Sequence, residues 1–207
     1  MNKVEATWIV NERVDNIYND LKSFVYIRIH SLQHGQDNIG GGNITAAIAL
    51  FAVLNFLGKI QYYLDKGSST PIENNEPRIV EEVAFIHLVK KLSQYGINLG
   101  LPNDNNQALK LVWNGFRNKL SHVGEVEGGK QVTMYVINDI AGNLTVSNFL
   151  TNLKDKQAFN HDGQYRKWTL NADVLLAKLP EIKSVITKQI NTFSDTLDYN
   201  LLRKIIG

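Results

Sequence analysis

The chain has 207 residues, of which 43% are hydrophobic and 20% charged, enough apolar material for a sizeable core in a single domain. Lys and Arg number 22 against 20 Asp and Glu, and the formal charge of +2 excludes a strongly basic, histone-like binder while leaving both nucleic-acid and acidic partners open. No residue is cysteine, which excludes disulfide frameworks, thiolate metal clusters and cysteine nucleophiles and is compatible with a cytoplasmic location.

Residues 1–16 scatter Glu5, Asn11, Glu12 and Asp15 among short apolar patches and lack the apolar core of a signal peptide. Val14, Ile17, Tyr18, Leu21, Phe24 and Val25 recur at spacings of three and four, which predicts an amphipathic helix from about residue 12 to 30. A loop over 35–42 follows, with Asn43 as the expected N-cap of the most apolar helix, which extends toward residue 65. Its apolar stretch, 44–57, is shorter than the roughly 20 residues a membrane span requires, so no membrane partner is expected. Residues 67–71 read as a loop. Ile79, Val80, Val83, Ile86, Leu88 and Leu92 mark a third helix closed by Gly96, and Pro102 and Asp104 open a fourth.

The period then changes. Residues 132–137 and 144–146 read as strands, and 166–170 as a third. Asn171 caps a return to helix, which Pro180 is expected to break or kink unless it opens a second helix. The expected fold is mainly α: one domain over 1–207, an antiparallel bundle of about four to six helices. Its core bundle spans 12–123, a small antiparallel β insertion spans 130–170, and C-terminal helices span 171–207.

The fourth helix carries the chemistry. On a helical wheel Leu109, Val112, Trp113, Phe116 and Leu120 share one sector, the core face. Asn118 and His122 point the opposite way, with Arg117 at the flank and Leu111 and Gly115 on their side. An apolar residue and a glycine off the core face mark a second packed surface, since glycine inside a helix costs about 1 kcal/mol relative to alanine. Arg117-Asn118-Lys119-Leu120-Ser121-His122 resembles the Arg-x4-His motif of HEPN domains, in its form with a polar residue directly after the arginine.

That resemblance covers six residues directly, with the helical context of about 12–122 behind it. It implies a dimeric helical bundle and a metal-independent ribonuclease of the toxin–antitoxin, abortive-infection or CRISPR kind. The implied roles are proton transfer by His122, phosphate stabilisation by Arg117 and orientation by Asn118. The residue types suit that chemistry. RNA supplies its own 2′-hydroxyl nucleophile, histidine exchanges protons near neutral pH, and arginine forks onto phosphate oxygens. No metal and no cofactor is needed. The expected partners are single-stranded RNA, a second copy docked through the face of Leu111, Gly115 and Asn118, and a cognate antitoxin or regulator. A catalytically silent dimeric module of the same kind, or an unrelated helical binding protein with an exposed polar helix face, remains the alternative.

The other signals are weaker. His30 and His34 have metal-ligand spacing but no obvious local third ligand, so a polar helix end is the better account. Gly40-Gly41-Gly42-Asn43 lacks the lysine and hydroxyl residue of a P-loop. His87, inside an apolar run, reads as a hydrogen-bonded core or boundary histidine, and Trp113 and Phe116 read as core. His161-Asp162 is assigned no chemistry, Ser121 lacks a nucleophile elbow, and Tyr62 and Tyr63 are left unassigned.

Overall fold

The first helix is longer than its apolar spacing announces. In the computed structural model, which describes residues 2–34, 42–121, 132–135, 137, 145–162, 167–193 and 198–206, the chain runs through α1 (Lys3–Gln33), α2 (Gly42–Lys66), β1 (Ile72–Glu73), β2 (Glu76–Pro77), α3 (Glu81–Gln94) and α4 (Asn106–Ser121). It continues through β3 (Val132–Tyr135), α5 (Val146–Thr151), β4 (Phe159–Asp162), β5 (Lys167–Asn171), α6 (Ala172–Thr192) and α7 (Tyr199–Ile206). The protein is mainly helical, a bundle with a small β insertion before its C-terminal helical segment, as the periodicity predicts. Of these helices, α5 and α7 are short and the others long.

A capping box starts α1 nine residues ahead of the predicted position. The Asn2 side chain accepts from the Glu5 amide at 2.9 Å, and the Glu5 carboxylate accepts from the Asn2 amide at 3.1 Å. Ala6, Val10, Val14, Leu21, Val25 and Ile29 form the buried stripe, whereas Phe24, read as part of it, is 48% exposed.

That stripe packs on α6, and polar ties along the seam show the two helices antiparallel. Lys3 donates to the Phe193 carbonyl at 2.9 Å, and Thr7 donates to Asn191 at 3.2 Å. Lys183 reaches both Asp15 oxygens at 2.7 and 2.9 Å, and Arg28 meets Asp173 at 2.6 Å. Asn171 caps α6 as predicted, its side chain accepting from the Val174 amide at 3.2 Å. Pro180 neither ends the helix nor opens a new one. It lies exposed inside α6, while Leu179, Ile182 and Ile186 beside it are fully buried, so tertiary packing overrides the local penalty.

Helix α2 is the hub, packed against α1, α3, α4, α6 and α7. Its Thr45–Lys66 stretch is long and apolar enough to cross a membrane, and 61% of its most apolar window is buried inside the bundle. Gly42 already belongs to the helix, so Asn43 sits within α2 rather than capping it. Phe51 gathers the aromatic core, its ring centre 6.1 Å from Phe85, 5.9 Å from Trp113, 5.3 Å from Phe116 and 6.3 Å from Phe159. Gly58 lets α3 approach: a Cβ there would stand 2.8 Å from the Ala84 carbonyl oxygen. Gly96 closes α3 as predicted, at φ +82, with its amide on the Ser93 carbonyl and the Ile97 amide on Leu92.

The β elements depart further from expectation. β1 and β2 form an unforeseen hairpin turning on Asn74 and Asn75, both at positive φ, and the Asn75 carbonyl accepts from Lys204 of α7. In the larger sheet, of order β3-β5-β4, β4 is a strand the sequence reading did not foresee, and it pairs antiparallel with β5, whereas β3, expected in an antiparallel insertion, lies parallel to β5. The long path through α5 and β4 brings the chain back in the same direction. Of the strand predicted over 144–146, residue 144 lies outside the described residues, Thr145 is the N-cap of α5, accepting from the Asn148 amide at 3.2 Å, and Val146 is its first residue. Beside β4, the Leu99 carbonyl accepts from the Phe159 amide at 2.8 Å, and Ile97, Leu99 and Leu101 bury alternate positions of the segment.

Candidate functional site

Asn105, not Asp104, caps α4: its side chain accepts from the Ala108 amide at 3.0 Å. Leu109, Val112, Trp113 and Phe116 are buried at 3% exposure or less, so the predicted core face is the observed one. Lys110 pairs with Glu82 of α3 at 3.2 Å, and Asn114 donates to the same carboxylate at 3.1 Å, which pins one flank of the helix. Leu111 is 56% exposed and Gly115 is half-buried. Because the helix is continuous to Ser121, positions 111, 115 and 118 follow one another along one face. Arg117 and Asn118 occupy the last two turns. Their side chains, that of Leu120 and the whole of His122 lie outside the described residues.

Other histidines sit in distinct settings. His87 Nε2 is 2.7 Å from an Asp65 oxygen that also accepts from Gln61 at 2.9 Å, while Lys91 donates to the second oxygen at 3.1 Å. The Tyr62 ring stands edge-on to His87 at 5.3 Å. Burial alone would push the Asp65 carboxyl up; the bonds from His87, Gln61 and Lys91 and the Lys91 charge outweigh it and hold Asp65 below its ordinary value. This boundary network, which ties α2 to α3, agrees with the sequence reading of His87. Tyr63, next in the chain to Tyr62, is buried and donates to the Asp198 carbonyl at 2.8 Å. Burial, aided by the Asp198 charge, pushes its hydroxyl up to about 12.

His30 and His34 stack, ring centres 4.2 Å apart, and the described residues contain no group of three or more His, Asp or Glu arranged to hold a metal ion. A carbonyl only accepts, so the 2.8 Å contact from His34 Nδ1 to the His30 carbonyl makes Nδ1 the protonated nitrogen. His30 borders a cavity of about 610 Å³ between α1 and the start of α5. The sequence shows metal spacing at this pair and Tyr18 within the apolar stripe, but Lys22 and Tyr26, which join them at the same four-residue step, carry no sequence assignment. The His161 ring lies 4.8 Å from that of Trp168 across the β4–β5 pair.

The last turns of α4 therefore carry Arg117 and Asn118, with exposed Leu111 and half-buried Gly115 preceding position 118 on its face. Comparison with models of known protein families, with curated proteins and with solved structures finds no match to this chain.

Proposed function

We propose that the chain is a HEPN-like, metal-independent RNA endonuclease, acting in a phage-defence or toxin–antitoxin setting under a cognate antitoxin or regulator. One observation carries the reading: Arg117, Asn118 and His122 stand in family order in the sequence, and the first two fall in the last turns of a helix whose core face is taken by Leu109, Val112, Trp113 and Phe116. In this mechanism the 2′-hydroxyl loses its proton to one histidine and attacks the adjacent phosphorus. The O2′–P bond forms as the P–O5′ bond breaks, and a second histidine protonates the leaving oxygen. The products are a 2′,3′-cyclic phosphate and a 5′-hydroxyl. Arg117 stabilises the charge on the phosphate oxygens and Asn118 orients the site. One chain offers one such histidine. A symmetric dimer through Leu111, Gly115 and Asn118 offers two across a groove, and the exposed Leu111 beside Gly115 supports such a contact.

The test is cleavage of labelled single-stranded RNA in excess EDTA. His122→Ala is expected to lower the rate by about 10²–10⁴, the usual loss for a general acid–base. Arg117→Ala should act similarly, and Arg117→Lys should not restore full activity because lysine lacks the bidentate fork. Gly115→Leu should yield monomers with little activity. Cleavage that requires added divalent metal, or that survives His122→Ala, overturns the mechanism. A wild-type dimer that cleaves no RNA under any condition favours the silent dimeric module, a reading to which Leu111 lends equal weight.

A further inference from the structure

Helix α1 carries a ladder of which only the first member, Tyr18, packs against the core. Tyr18, Lys22, Tyr26, His30 and His34 recur every fourth residue, so each lies beside the next while the series winds slowly round the helix. The Lys22 ammonium lies 5.9 Å from the centre of the Tyr18 ring. The Tyr26 and His30 rings are 6.0 Å apart, and His30 and His34 lie nearly parallel at 4.2 Å. Tyr26 is 59% exposed, and the bond from His34 to the His30 carbonyl holds the last ring in orientation.

Lys22, Tyr26 and His30 form one wall of the 610 Å³ cavity, and Thr145 and Ser147 stand on the opposite wall. That volume lies within the range of about 300–1,000 Å³ typical of ligand sites. Among the described residues no carboxylate lines it. Exposed rings in series, a flanking cation and hydroxyls opposite make a surface that complements flat bases joined by a negative backbone. Successive exposed rings, each beside the next, suit a strand better than a single small molecule.

We propose that this groove binds a short run of unpaired nucleotides of single-stranded RNA, with bases stacked on Tyr26 and His30 and a phosphate met by Lys22. The choice of RNA rests on the endonuclease reading. The groove is built from α1 and the start of α5, with no residue of α4 in its lining.

The experiment is fluorescence anisotropy of the full chain with a labelled, single-stranded 2′-fluoro RNA, which lacks the 2′-hydroxyl nucleophile and so separates binding from cleavage. Tyr26→Ala should raise Kd by roughly 5- to 150-fold, the conversion of the about 1–3 kcal/mol that stacking on an aromatic contributes per base. Tyr26→Phe should bind like wild type. His30→Ala should weaken binding, and Lys22→Gln should reduce the slope of log K against log salt by about 0.7, one phosphate's worth. Duplex RNA and a mononucleotide should compete poorly. Unchanged thermal melts would show that these exposed substitutions leave the fold intact.

The proposal is overturned if wild type does not bind the strand, if Tyr26→Ala and His30→Ala bind as wild type does, or if duplex or mononucleotide competes as well as single strand. Binding without cleavage of ordinary RNA defeats the endonuclease reading and leaves the groove standing. Cleavage with binding indifferent to Tyr26 and His30 defeats the groove alone.

Discussion

Two carboxylates organise the polar ties of this bundle, and they do it in opposite surroundings. Asp173, only 2% exposed at the start of α6, takes the Arg28 guanidinium on one oxygen and the Ile137 amide, at 2.7 Å, on the other. Asp65, whose side chain is one-fifth exposed near the end of α2, gathers three side chains from α2 and α3. The count of donors favours Asp65; the consequence of breaking the site favours Asp173. Removing Asp173 strands a guanidinium whose Nε already has no partner among the described residues, and orphans a backbone amide. Removing Asp65 releases His87 and Lys91, which water can reach, and leaves only the neutral, buried Gln61 amide without its acceptor. A carboxylate's worth here follows what its loss leaves behind rather than how many bonds it makes.

The sharpest way to break the comparison is Asp173→Ala. Loss of one partner from a buried pair costs about 3–5 kcal/mol, and for a chain of this size about 2–4 °C of Tm accompanies each kcal/mol. Arg28→Met combined with Asp173→Asn should recover part of that loss, because asparagine still accepts from Ile137 and no buried charge remains. If the double variant is no better than Asp173→Ala in urea denaturation, the stranded charge is not the cause.

Next in size is Gly100→Ala, a backbone control carrying no charge. At φ +85 its Cβ would collide with the Phe159 carbonyl oxygen, so a loss of about 2 kcal/mol or more is expected, beginning with the left-handed conformation itself. Asp65→Asn should cost only about 1 kcal/mol, hydrogen bonds to a charged group being discounted for solvent screening. The pH dependence sharpens this result. Asp65 has a lowered carboxyl in the folded state, so its contribution is complete above the unfolded value of about 3.9 and is lost as pH falls through the folded one. The Asn variant should therefore lose less stability than wild type on acidification.

The smallest effect lies at the alkaline end. Tyr63, raised to about 12, contributes stability fully below the unfolded tyrosine value near 10, and loses it as pH rises through 12. Tyr63→Phe should flatten that decline and remove a late-ionising component from the ultraviolet titration of the eight tyrosines.

Where a signal was local, the sequence carried it. The Asn171 cap, the Gly96 closure and the Trp113–Phe116 core face all follow from spacing and residue type. The early start of α1 was hidden because Asn11 and Glu12 interrupt the apolar pattern, although the capping box at Asn2 and Glu5 was there to be read. The parallel pairing of β3 with β5 was not legible, since strand direction depends on the path of the intervening chain. For the candidate site, the face of α4 was legible while the Asp65 network was not: it exists only because α2 and α3 pack together. The α1 ladder lay between these cases. Its spacing was visible, but only exposure distinguishes a stacking surface from a core stripe.

The antiparallel seam between α1 and α6 also constrains how the chain meets its own synthesis. The last residue of α1, Gln33, precedes the first of α6, Ala172, by 139 positions. At about 5–20 residues per second a ribosome needs roughly 7–28 s to make that stretch. Throughout that interval Val10, Val14, Leu21 and Val25 have been made but the helix that covers them in the native bundle has not. The N-terminal helix must meanwhile shelter its stripe against α2 or a chaperone, and slowing elongation between the two helices would lengthen the window in which misassociation competes with folding.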